Sequence, residues 1–190
     1  MTSVVQPLIQ PDLAVITAHL QALFAPVLAD GQDGLIEIRH GPIDPTLKRA
    51  AINHNAWFRL DRVNEAASYA ADQNARGHNV YVGVNPRKAD TDQAGHGADA
   101  DVALAYWHFA DLDDPATVAA ARAHVPLRYS MLVMTGAVPE ARPHFYWRLE
   151  EPCANLPAWT ARQRAIAAHL GGDAVINPSR IMRLAGTVNY

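Results

Sequence analysis

Apolar residues recur at helical spacing over Leu13, Ile16, Leu20, Leu23 and Phe24, behind an Asp12 of the type that caps helix starts, which predicts an amphipathic helix over about 12–25. Between Gly34 and Gly41 the period drops to two, with Leu35 and Glu37 alternating against Ile36 and Ile38, and this predicts a strand. A weaker strand signal covers 56–60. Asp61 or Asn64 can cap a second helix that runs to Ala75 and is stopped by Gly77. The run NVYVGVN over 79–85 is a further strand, and 86–100, with Gly, Asp and Lys but no apolar period, reads as a loop longer than most connections.

The second half is more regular. An apolar and aromatic run over 102–112 predicts a buried strand, and Pro115 sits where a first helical turn tolerates it, with the helix continuing over 117–124. Strands over 129–135 and 144–149 are expected to form a hairpin through a loop holding Gly136, Pro139 and Pro143. Leu156, Trp159, Ile166 and Leu170 keep helical spacing until Gly171-Gly172, and 181–184 is a last short strand. The order β-α-β-β-α-β is the ferredoxin-like split arrangement. The expected class is therefore α/β: a mostly antiparallel RRM/ferredoxin-like sheet over 79–190, with an N-terminal αβ subdomain over 1–78 packed on it.

Composition narrows the function classes. With 190 residues, 49% of them hydrophobic, the chain can bury a core without a disulfide or metal staple, and it is too apolar for a disordered protein. No window approaches the ~18 apolar residues of a membrane helix. The start, MTSVVQPLIQ, lacks both a basic stretch and a long apolar one, so no secretory signal is expected. A single cysteine, Cys153, excludes an internal disulfide framework and a cysteine-built zinc site, and points to a reducing cytoplasm. Sixteen basic against nineteen acidic residues give a formal net charge of −3, unlike the bulk basic signature of a nucleic-acid coat protein. Only Lys48 and Lys88 are lysines and the remaining cations are arginines. A GC-rich genome explains that bias as readily as phosphate recognition does. Any contact with nucleic acid must come through a local groove.

Three constellations carry candidate chemistry. Asp111 and Asp113 end the apolar strand of 102–112, and strand alternation points both to one face about 7 Å apart. Paired carboxylates suit a hard divalent cation whose shell phosphates and waters complete; the alternative is a strand end that caps the next helix. His144 opens the strand after the Gly/Pro loop, with Tyr146 on its face and Phe145 and Trp147 on the other, and can contact a phosphate or serve as a structural histidine. Asp173 follows the double glycine as a possible third carboxylate, ahead of Arg180 and Arg183, whose forks match phosphate oxygens. The alternative there is a capped helix followed by solvated arginines.

The succession D-x-D, then a His-bearing hairpin strand, then Asp with S-R-x-x-R-L-x-G-T-x-N, resembles the archaeo-eukaryotic primase superfamily, in particular plasmid- and phage-borne RepB-like primase-polymerase domains. The resemblance spans about 79 to 190 and includes Tyr81-Val82-Gly83-Val84-Asn85-Pro86-Arg87 ahead of the acidic strand. It implies a catalytic core in which Asp111, Asp113 and Asp173 bind two divalent metals, Mg²⁺ or Mn²⁺. It further implies that His144, Arg142, Arg180, Arg183, Ser179 and Arg87 contact the nucleotide, and that Lys88 and Tyr146 contact the template. The implied partners are a single-stranded DNA template, NTPs or dNTPs, and a helicase domain or subunit, since such domains often precede one; the chain is then a candidate piece of a longer replication protein. One position departs from the pattern: Arg142 stands where the superfamily's Ser-x-His motif has serine.

The implied chemistry is nucleotidyl transfer, in which two metals ~3.5–4 Å apart stabilise the attacking and leaving oxygens. A local basic groove with a stacking aromatic would hold single-stranded template despite the modest net charge. Three rivals remain from the sequence: a catalytically inactive DNA-binding replication module, another metal-dependent phosphoryl-transfer enzyme such as a nuclease, and a structural domain whose acids are caps. A rolling-circle nickase would use a His-x-His pair, and His40, His54, His108, His124 and His144 show no such spacing.

Overall fold

The computed structural model describes residues 10–46, 49–123, 128–136 and 142–190. Helix α1 (Leu13–Ala29) starts where expected, with the Asp12 carboxylate accepting from the Val15 N–H at 3.1 Å. It outruns the predicted end because Val27 extends the buried stripe of Ile16, Leu20 and Leu23 past Pro26. Strands β1 (Leu35–Gly41), β2 (Ile43–Asp44), β3 (Arg49–Ala50) and β4 (His54–Arg59) follow, then α2 (Val63–Ala75) and β5 (Asn79–Gly83). The second half holds β6 (Ala105–Asp111), α3 (Pro115–Ala123), β7 (Met131–Gly136), β8 (Arg142–Cys153), α4 (Leu156–Leu170) and β9 (Ile181–Arg183). The small β2–β3 pair was not foreseen, and β8 runs past both ends of the expected strand. The middle of the β7–β8 loop, 137–141, and the expected helix end at His124 lie outside the described residues. Among the described residues no helix is long and apolar enough to cross a membrane.

The named strands form two main antiparallel sheets, one ordered β4-β1-β5-β9 and the other β6-β8-β7, with β2 and β3 paired separately. The α/β class and antiparallel character agree with the sequence reading, but the last strand does not join its predicted sheet. β9 pairs with β5 (Tyr81↔Arg183, Val82↔Met182, Gly83↔Ile181) instead of completing the β6-β8-β7 sheet. The cause lies just upstream of it. Asn85 Nδ2 donates to the Pro178 carbonyl at 3.2 Å, Arg87 Nη2 to the Ser179 carbonyl at 2.6 Å, and the Val84 N–H to the Arg180 carbonyl at 3.1 Å. These bonds deliver the chain onto the β5 edge, whose N–H and C=O groups need a partner.

The 78/79 boundary thus falls inside one sheet, since β1 and β4 share it with β5 and β9. One buried cluster joins both portions, from Ile16, Leu20 and Phe24 of α1 through Val80 and Val82 to Phe109, Tyr146 and Trp159. A smaller cluster (Ala110, Leu112, Phe145, Trp147, Leu170) packs the outer face of the three-stranded sheet against α3 and α4. The long loop is not free chain. Gly97 donates its N–H to Glu37 Oε1 at 2.8 Å and accepts from Arg39 Nη2 at 2.7 Å, and Gly95 accepts from Asn55 Nδ2 at 2.6 Å, so the segment lies over β1 and β4.

Candidate active site

The two sheets face one another across a cavity of about 210 Å³. The three-stranded sheet and its flanks supply Asp111, Asp113, Thr135, Arg142 and His144 to the walls; β5, β9 and the chain end supply Tyr81, Arg180, Ile181, Met182, Arg183 and Asn189.

The acidic wall follows from strand register. Asp111 and His144 are direct cross-strand partners on β6 and β8, and His144 Nε2 lies 3.3 Å from Asp111 Oδ1. Burial pushes the Asp111 carboxyl up, but the His144 hydrogen bond and the His144, Arg180 and Arg183 charges outweigh it and hold it below its ordinary value. Asp113 moves the other way: partial burial and the negative charges of Asp111 and Asp173 raise it, with Arg142 and His144 pulling back. The two carboxylates share the cavity, although β6 stops at Asp111 and Asp113 arrives from the connection beyond it, not by strand alternation.

Asp173 lies beside this pair. Its N–H donates to the Asp111 carbonyl at 3.1 Å, and its charge reaches Asp113, but it is not part of the cavity wall. Two devices bring it there. A Cβ on Gly172 would stand 2.6 Å from Leu112 Cδ2 and 2.9 Å from the Asp111 carbonyl oxygen, so only glycine permits this approach. Fully buried Gln163 of α4 then ties the two segments, donating from Nε2 to the carbonyls of Phe109 (2.6 Å) and Val175 (2.9 Å).

The basic wall is held from behind. Arg183 donates from Nη1 to Asn79 Oδ1 at 2.6 Å and from Nη2 to the Tyr81 hydroxyl at 3.0 Å, with its guanidinium 4.9 Å from the Tyr81 ring centre. Burial lowers the Arg183 pKa, and Tyr81 and Asp111 pull it back up in part. Arg180 lines the cavity, and its buried Nε–H has no partner among the described residues.

Four further residues predicted at the site lie outside the cavity wall. Arg87 is an internal ion-pair residue, not a nucleotide contact: its side chain and that of Glu37 are 0% exposed, 2.8 Å apart, and its other N–H groups go to the Asn85 and Ser179 carbonyls. Burying a charge demands such pairing. Ser179 turns from the cavity to donate its hydroxyl to Asp99 at 2.6 Å. Lys88 Nζ donates to the Ala100 carbonyl at 2.7 Å on the covering segment, outside the cavity. Tyr146 is 0% exposed within the core and has no surface for a template base. Conversely, sequence reasoning missed Tyr81, Asn79, Thr135 and Asn189 around the cavity. It also missed Gln163 and Asn85 behind it. Tyr81 and Asn85 lie inside the quoted YVGVNPR run, where the polar residues within an apolar strand were the available signal.

Among known structures, the AEP domain of the cyanophage S-2L primase-polymerase superposes with a TM-score of 0.63 at 23% identity, over 94% of this chain and 84% of that one. The fold is that of a primase-polymerase catalytic domain. The primase RepB′ matches at a TM-score of 0.56 and 18% identity, over 90% of this chain and 51% of that one. The catalytic domain of RepB′ in complex with initiator DNA matches at 0.55 and 19%, over 90% and 78%. No family model matches the chain, and neither does any curated protein. The likeness therefore lives in the backbone path, and the chemistry rests on the cavity's own residues.

Proposed function

We propose that this chain is a primase-polymerase catalytic unit that carries out metal-dependent, template-directed nucleotidyl transfer on single-stranded DNA in plasmid or phage replication. The observation that carries the reading is one cavity with carboxylates on one wall and, on the other, arginines that include Arg180, whose Nε–H has no partner among the described residues. A triphosphate bridged to a divalent cation satisfies both walls at once.

The donor set fits Mg²⁺ or Mn²⁺. Among the described residues no three His, Cys, Asp or Glu side chains stand ready to hold a metal by themselves. Mg²⁺ takes one or two carboxylates and completes its octahedron with phosphates and waters, so Asp111 and Asp113, with Asp173 beside them, suit a metal that arrives with its nucleotide. When bound, such a metal pair lowers the pKa of a 3′-hydroxyl and neutralises the leaving phosphates. The protein's share is positioning. Arg180, Arg183 and Arg142 bind phosphate oxygens, and His144 orients Asp111 through its Nε2 beside the phosphate site. Arg142 supplies a charged donor where the superfamily's motif has a hydroxyl. Template and a helicase partner fit the reading as expectations from the shared fold.

The test is primer synthesis from NTPs or dNTPs on single-stranded DNA with Mg²⁺ or Mn²⁺. The wild type is expected to make product and Asp111→Ala/Asp113→Ala to make none while keeping its fold. Equal synthesis by the double variant overturns the assignment. A second reading, a nucleotide- or DNA-binding module without catalysis, draws on Asp173 standing outside the cavity wall; it requires metal-dependent nucleotide binding with no synthesis by the wild type.

A further inference from the structure

The segment that follows β9 is held by two buried asparagines. Asn74 of α2 accepts the Val188 N–H at 2.7 Å through Oδ1, and its Nδ2 donates to the Val188 carbonyl at 2.9 Å and the His78 carbonyl at 2.8 Å. Asn79 of β5 treats Tyr190 the same way. Its Oδ1 accepts the Tyr190 N–H at 3.2 Å, and its Nδ2 donates to the Tyr190 carbonyl at 3.3 Å. Two side-chain amides thus pair with the backbone groups on either side of Asn189 as a neighbouring strand would, and fix that residue without using its side chain.

The Asn189 side chain lines the cavity and is exposed. Its Nδ2 donates to the Thr135 carbonyl at 3.4 Å, longer than an ordinary N–H···O bond. A primary amide carries two donor protons and an acceptor oxygen, so this one long bond uses little of its capacity. Among the cavity's charged side chains the amide is a neutral donor and acceptor. Phosphate oxygens go to the arginines, which offer them stronger charge-assisted bonds. What an amide matches is the uncharged part of a nucleotide, its sugar hydroxyls and the edge of its base, where an amide can pair bidentately. The Oδ1 of Asn79 that holds Tyr190 also accepts from Arg183 Nη1 at 2.6 Å. One buried atom therefore fixes both a guanidinium of the basic wall and the backbone that carries Asn189.

We propose that Asn189 binds the nucleoside part of the nucleotide through its side-chain amide, and that Asn79 is a positioning residue that sets the spacing between this contact and the phosphate-binding Arg183. The inference rests on the nucleotide reading of the cavity given above and adds to it the residue that tells a nucleotide from a bare chain of phosphates.

The experiment is calorimetry of the full chain with Mn²⁺ and four probes: ATP, dATP, CTP and inorganic triphosphate. Asn189→Ala is expected to lower nucleotide affinity about 3–10-fold, as the loss of about one hydrogen bond gives, and to leave inorganic triphosphate binding unchanged. Asn79→Ala frees Arg183 and Tyr190 together and is expected to weaken all four probes. Asn189 is exposed, so its variant keeps the test open if Asn79→Ala does not fold. A fall for ATP and CTP that spares dATP assigns the contact to the 2′-hydroxyl, and one that spares CTP assigns it to the purine edge. An equal fall for the three nucleotides assigns it to a group they share, such as the 3′-hydroxyl. Asn189→Ala binding all four probes as the wild type does, or losing all four equally, overturns the proposal and leaves Asn189 a latch on Thr135. If that happens in a protein that makes primer, this inference alone falls. Nucleotide-selective loss in a protein that makes no primer keeps it and removes the polymerase reading, and a wild type that binds no probe removes both.

Discussion

The two walls of the cavity are built on different principles. The acidic wall is local: Asp111 and His144 face each other because β6 and β8 are in register, and each strand's own alternation sends them inward. The basic wall is remote. Arg180 and Arg183 reach the cavity because Asn85 and Arg87, nearly a hundred residues earlier, hold the Pro178 and Ser179 carbonyls and steer β9 onto β5. Arg87 is in turn fixed by Glu37 of β1. One wall depends on the register of two adjacent strands, and the other on a buried ion pair drawn from the N-terminal half.

The largest effect expected from that difference is Arg87→Leu. Breaking a buried pair by removing one partner costs about 3–5 kcal/mol, here by leaving Glu37 charged against Arg39 alone and the Ser179 carbonyl unbonded. Urea unfolding should show a loss of that size, and nucleotide binding should weaken with it because the basic wall loses its anchor. A variant of ordinary stability with intact binding would break the comparison. The exposed Arg76–Asp72 pair, 2.8 Å apart with side chains 66% and 62% exposed, serves as the control and should change little when cut.

This contrast also explains what the sequence could say. Asp111 and His144 were legible because strand period and turn punctuation are short-range signals. Arg87 was not, because a charged residue in a motif reads as surface chemistry unless its partner is known, and Glu37 sits fifty residues away on β1. β9 was mispaired for the same reason: its three residues carry no register information, and the bonds that route it come from Asn85 and Arg87. Tyr146 was placed on the correct strand face, but nothing in the chain told that this face turns into the core at 0% exposure.

Acid should strike both sheets. His40 of β1 shares a 2.8 Å Nδ1···Nδ1 hydrogen bond with His78 and another at 2.8 Å with the Tyr69 hydroxyl. Burial, then the charges of His78 and His54, lowers its pKa to about 4. Burial, then His144, takes His19, behind the three-stranded sheet, to about 3. The unfolded chain takes up protons near pH 6.5 that the folded one refuses, so stability falls as the pH drops from 6.5 toward 4 for His40 and toward 3 for His19, and levels off below. Each histidine adds a slope of at most about 1.4 kcal/mol per pH unit. His40→Gln should remove the share of the four-stranded sheet and leave a shallower dependence. An unchanged slope in that variant would show that His40 takes its proton without unfolding.

The smallest expected change in stability tests the one place where the acidic wall also reaches across the chain. In Gly172→Ala the added methyl meets the Asp111 carbonyl oxygen at 2.9 Å and Leu112 Cδ2 at 2.6 Å. Overpacking of this kind costs about 1–3 kcal/mol, and here the strain is relieved most cheaply by moving the 171–175 segment outward. That movement breaks the Asp173 N–H bond to the Asp111 carbonyl and takes the Asp173 charge from Asp113, while Asp111 and His144 keep their register. The Asp113 pKa, followed by NMR, should then fall toward its ordinary value, since one of the negative charges holding it up has withdrawn. If Asp173 contributes to cation binding, Mn²⁺ affinity in the presence of nucleotide should fall while nucleotide binding without metal holds. A loss of both together would mean that the two walls are not independent, and that the local register of β6 and β8 is not enough to hold the acidic one.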